Sequence, residues 1–141
     1  MSFREKSAYV MLLAVLVVTV WLGSEVFDPT NTDTWLSNTR EPLIIGALII
    51  LTVVSAIGHA VIAARSPEEA HEPLDERERQ IVSAAQGFAY NTLIIGVLAS
   101  FAMLHIDGSL RLFAVLVSFS MLISWMVQYV SQIVIFRLGR T

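Results

Sequence analysis

Residues 75–109 read DERERQIVSAAQGFAYNTLIIGVLASFAMLHIDGS, and this stretch decides how the chain is built. It opens on Asp75 with Glu78 three residues on, a pairing that lets side-chain oxygens take up the free N–H groups of a starting helix. From Gln86 to His105 it contains no Asp, Glu, Lys or Arg. A helix needs about 20 mostly apolar residues to cross the hydrocarbon core of a bilayer, since each residue rises about 1.5 Å. The pattern therefore predicts one unbroken helix over 76–105, about 45 Å long, with its first two or three turns standing outside the membrane. His105-Ile-Asp-Gly-Ser then reads as a tight turn, so the next apolar run, about 110–136, must return antiparallel.

Two further runs complete the set. The first, about 7–27, is SAYVMLLAVLVVTVWLGSEVF, uncharged until Glu25, and the second spans 42–64, opened by Pro42 and closed by Arg65. Arg4 and Lys6 before an apolar run also suit a cleaved secretory leader. This run is longer than such a leader and lacks an Ala-x-Ala site, so it is read as a retained helix. The expectation is an all-α, polytopic membrane protein: residues 1–141 as one transmembrane domain, a four-helix antiparallel bundle with a loop at 65–75.

Composition agrees with that reading. The chain is 55% hydrophobic and 15% charged, with a mean hydropathy of +0.69, whereas a soluble domain is about 25% charged. A net charge of −3 offers no basic footprint for nucleic acid. There is no cysteine, which removes disulfides, thiolate metal sites and thiol nucleophiles.

Lys and Arg give the expected orientation. The N-terminus, middle loop and C-terminus hold Arg4, Lys6, Arg65, Arg77, Arg79, Arg137 and Arg140, against Arg40 and Arg111 on the other side. Seven against two predicts both ends in the cytoplasm, and Trp21 and Trp35 at the outer interface. The outer loop DPTNTDTWLSNTRE (28–41) carries Asn38 as a cap for the second helix. In the middle loop Ser66-Pro67-Glu68-Glu69 suits a short helical turn.

From Arg65 to Gln80 the chain carries six acids and three arginines, its densest charge. Capping accounts for Asp75 and Glu78, and Glu76 with Arg79 is spaced for an i,i+3 pair. Arg77 and Arg79 sit near the positive end of the helix dipole, where cations are mildly unfavourable. Glu76, Arg77 and Arg79 are thus the candidate contacts to a partner's acids or to lipid headgroups.

Polar side chains recur within the spans: Thr52, Ser55 and His59; Ser83, Gln86, Tyr90 and Asn91; Ser120, Ser124, Gln128 and Gln132. His59 lies about 9 Å in from Arg65, and Gln132 and Gln128 about 8 and 14 Å in from Arg137. His59, Gln86, Tyr90, Asn91, Gln128 and Gln132 are accordingly expected to face inward as a polar cluster in the cytoplasmic half. Interhelical bonds of this kind contribute about 0.6 kcal/mol each and usually act as glue, the alternative being a small cavity with His59 as its titrating group.

Ala56-xxx-Ala60-xxx-Ala64, Ser83-xxx-Gly87 and Ala85-xxx-Ala89 permit close helix approach, either pairing helices two and three or forming a homodimer seam. His71 and His105 read as loop residues without companions at metal-ligand spacing. No catalytic triad, HExxH, phosphate loop or dinucleotide fingerprint occurs, so neither an enzyme nor a cofactor is expected.

The opening Met1-SFREKSAYVMLL and the segment Leu74-DERERQI between spans two and three resemble a group of small bacterial inner-membrane proteins of unknown function. Those carry four predicted helices and a DERD/DERE-type cytoplasmic motif. The resemblance implies one complete protein over 1–141 in a bacterial inner membrane, and brings no activity or site residues. Two function classes remain. One is a non-enzymatic membrane protein that contacts lipid, a second copy or another membrane protein through DERER. The other is a small dimeric transporter with a polar pocket in its cytoplasmic half, similar in outline to small multidrug exporters but without their glutamate inside helix one.

Overall fold

The computed structural model describes residues 3–26, 41–65 and 75–139, and all of its regular structure is helical. The helices are α1 (Phe3–Val26), α2 (Glu41–Arg65), α3 (Glu76–Asp107) and α4 (Leu110–Leu138). All four are long and apolar enough to cross a membrane, the pattern of a multi-pass membrane protein. The loop features expected at Trp35, Asn38, Ser66–Glu69 and His71 lie outside the described residues.

Asp75 caps α3 from an extended backbone, its carboxylate accepting from the Glu76 N–H at 2.7 Å, while its carbonyl accepts from the Arg79 N–H at 2.9 Å. From there α3 continues for 32 residues, about 48 Å. It ends at Gly108, whose φ of +73° lies in the left-handed region open to glycine and whose N–H donates to the Leu104 carbonyl at 2.8 Å. Ser109 immediately caps α4, its hydroxyl accepting from the Leu112 N–H at 3.2 Å. The connection is therefore only Gly108-Ser109. His105 belongs to the last turn of α3 and not to a loop, because the helix needs only one left-handed residue to stop.

α1 begins four residues before the expected Ser7. A boundary set by hydropathy misses this turn, since Arg4, Glu5 and Lys6 are good helix formers that need no burial to be helical. Along α1, Met11, Val15, Val18, Leu22 and Val26 recur every three or four residues and are buried. Val15, Val18, Leu22 and Val26, with Ala14, form a core with Ala47 and Leu51 of α2 and Leu122 of α4, flanked by Phe119, Trp125 and Met126.

Three helix pairs are packed: α3 with α4, α1 with α4, and α1 with α2. α1 and α4 are thus the inner pair, with α2 and α3 on either flank. Of the two uses expected for the small-residue stripes, the pairing of α2 with α3 is not among these packed pairs. Ala56, Ala60 and Ala64 are exposed, as are Ser83 and Gly87, whereas Ala85 and Ala89 are buried against α4.

The α3–α4 seam is built from small residues. A Cβ added at Gly96 would lie 2.6 Å from Ser120 Cβ, and Ser124 Oγ donates to the Ala89 carbonyl at 2.8 Å. Near the turn the Phe101 and Phe113 rings close the seam, with centroids 4.9 Å apart. Lipid tails are as apolar as leucine, so helices gain little by hiding hydrocarbon from them. Close backbone approach and dispersion contacts hold the pair instead.

Candidate functional site

The charged end of the molecule gathers the first turns of α1 and α3 and the last turn of α4. Asp75, Glu76, Arg77 and Arg79 are exposed there on the start of α3. The Arg77 guanidinium donates to the Gly139 carbonyl beyond the end of α4. The four last carbonyls of a helix lack partners within it and carry the negative end of its dipole, so a cation there is stabilising. Arg77 is unfavourable for its own helix but favourable for the neighbouring one. That interaction across helices is invisible in the local spacing, and it binds the charged start of α3 to the rest of the molecule.

Arg79 differs. It is exposed at the start of α3, as is Glu76 three residues before it. Of the three candidate contacts, Glu76 and Arg79 are presented to the surroundings and Arg77 is engaged within the chain.

Two residues join the site that sequence reading passed over. Glu5 is 2% exposed, the most deeply buried charged side chain among the described residues. One turn on, Tyr9 Oη is buried and makes no hydrogen bond, while the Arg137 guanidinium lies 5.7 Å from its ring centroid, within cation–π range. The signal lay in the Glu5/Tyr9 spacing of four residues, continuous with buried Ala8 and Met11. It is legible only once the helix is known to begin before Ser7.

The expected inward polar cluster is divided. Gln132 is buried and Gln128 half-buried on α4, but Gln86, Tyr90 and Asn91 are exposed on α3, with Tyr90 64% exposed. The His59 side chain lies outside the described residues. The cause is the small-residue face of α3: Ala85, Ala89 and Gly96 turn toward α4, which forces the amides and phenol outward. The hydroxyls also depart from the expectation of bonding across helices. Thr19, Thr52, Ser55, Thr92, Ser100, Ser118 and Ser120 each donate to the carbonyl four residues back in their own helix. That local bond satisfies a hydroxyl in lipid without any neighbour. Ser124 differs, reaching another helix to donate to the Ala89 carbonyl.

No three His, Asp or Glu residues come together as metal ligands among the described residues. Comparison with protein-family models, with curated proteins and with solved structures yields no match.

Proposed function

We propose that the chain is a non-enzymatic protein of a bacterial inner membrane, both ends cytoplasmic, that presents the start of α3 as a contact surface. The excess of Lys and Arg on the flanks that include this end supports the orientation. The observation that carries the contact role is the unequal use of neighbouring charges. Arg77 is occupied by the end of α4, while Glu76 and Arg79 stand exposed on the same rigid, capped stem.

The test is copurification from the native membrane, with bound proteins and lipids both identified. Glu76→Ala with Arg79→Ala should remove an identified protein without changing membrane insertion. Loss of anionic lipid instead would move the contact to the headgroups. An unchanged set of bound molecules removes this reading.

One observation favours a second reading, a small carrier. Glu5 places a buried carboxylate one turn from Tyr9, whose hydroxyl is also buried, on the same face of α1. Intramembrane acids are costly and commonly lie on ion or proton pathways. Reconstituted protein should then move solute across liposomes and lose that flux in Glu5→Gln. An inert wild-type protein ends the reading.

A further inference from the structure

The outer face of α3 is polar where the helix enters the membrane. At about 100° per residue, Gln86, Tyr90, Ser83 and Gly87 lie about 100–200° around the helix from Ala85, which is buried against α4. Gln86 and Asn91 stand about 10 and 18 Å along the axis beyond Arg79; Gln86 opens the apolar span and Asn91 lies about 8 Å farther in. A hydroxyl can bond back to its own helix, whereas a longer amide depends on another group, and hydrocarbon offers it none. Ile94, exposed on the same line, continues the face toward the far side.

We propose that this face binds a second copy of the chain, α3 against α3, about a two-fold axis along the membrane normal. This rests on reading the start of α3 as a contact surface, and it names the partner. Three features select a second copy over other occupants. Amides and phenols both donate and accept, so a row of them complements itself when rotated onto itself. Glu76 and Arg79 lie on the same face, about 60° apart, and a parallel two-fold brings the acid of each copy to the arginine of the other. Gly87, at the middle of the row, has open space where a Cβ would stand, in contrast to Gly96, whose space Ser120 fills. Two backbones can therefore approach closely at Gly87, as the small residues of α3 and α4 already do on the other side.

The chain contains no cysteine, so single cysteines report contacts directly. S83C and G87C in isolated native membranes, with oxidant added, should give a disulfide-linked dimer, because bridging needs Cα atoms about 4.4–6.8 Å apart. I57C, on the exposed side of α2, should remain monomeric. Q86L should weaken dimerisation about threefold for each interhelical bond lost. E76R and R79E should each reduce the linked fraction of S83C, and together restore it.

Monomer at all three cysteine positions overturns the proposal, as does linkage through I57C alone, which would place the seam on α2. If the cysteine variants are monomeric while Glu76 and Arg79 still determine which protein copurifies, the contact surface stands and its partner is a different protein. If copurification is indifferent to them as well, both readings fall.

Discussion

The two halves of the molecule are joined by different means. α3 and α4 form a hairpin with a two-residue turn and a seam of Ala85, Ala89, Gly96, Ser120 and Ser124. α1 and α2 meet through Val15, Val18, Leu22, Ala47 and Leu51, with Gly58 near Val10. The first seam depends on backbones being close, and the second on branched side chains filling the space between them. A seam of close backbones should be the less tolerant, because its atoms cannot rotate out of the way.

The largest expected effect tests that difference. Gly96→Ala drives a methyl to 2.6 Å from Ser120 Cβ and should destabilise the α3–α4 pair by about 1–3 kcal/mol, measured by unfolding in mixed micelles. Gly46→Ala, where nothing lies within 4 Å, should be neutral or mildly stabilising through helix propensity. Equal losses at the two sites would show that close approach is not what holds the seam.

Next is the turn. Gly108→Ala imposes a side chain at φ +73° and should cost about 1–2 kcal/mol in the same assay. A smaller loss would mean the turn relaxes, and with it the contrast between a clamped hairpin and a looser partner half. Ser124→Ala removes the interhelical hydrogen bond and should cost about 0.6 kcal/mol, against no measurable loss for Ser118→Ala, whose hydroxyl bonds only to its own helix.

The smallest effect belongs to the other half. At Gly58 the nearest atom to an added Cβ is Val10 Cγ1 at 2.9 Å, the end of a side chain that can turn aside. Gly58→Ala should stay within about 0.5 kcal/mol of wild type. A loss as large as that at Gly96 would make the two seams equivalent and remove the distinction.

The structure also separates two kinds of polar residue that look alike in a hydropathy pattern. Ser120 follows the same rule as Gln128 and Gln132 when counted along α4, yet a short hydroxyl can return to its own backbone and a longer amide needs another partner. A hydroxyl is thus satisfied locally even where, as at Ser120, it sits in the α3–α4 seam, while the outward amides of α3 depend on what surrounds that helix. Arg77 and Arg79 were likewise equivalent by spacing. They differ because only one can reach the end of α4.

By itself the sequence determined the four apolar helices, the Asp75 cap, the unbroken run of α3 and the antiparallel return at Gly108. Each follows from bilayer thickness or from bonds within a few residues of one another. Only the tertiary structure decided that α1 and α4 are the inner pair, that α2 and α3 are not packed together, and that Glu5 is buried. It also decided which face of α3 turns inward. In lipid the hydrophobic pattern does not separate inside from outside, since both are apolar. The faces are chosen by how closely Gly96, Ala85 and Ala89 let a neighbouring backbone approach, and that appears only when the helices are placed side by side.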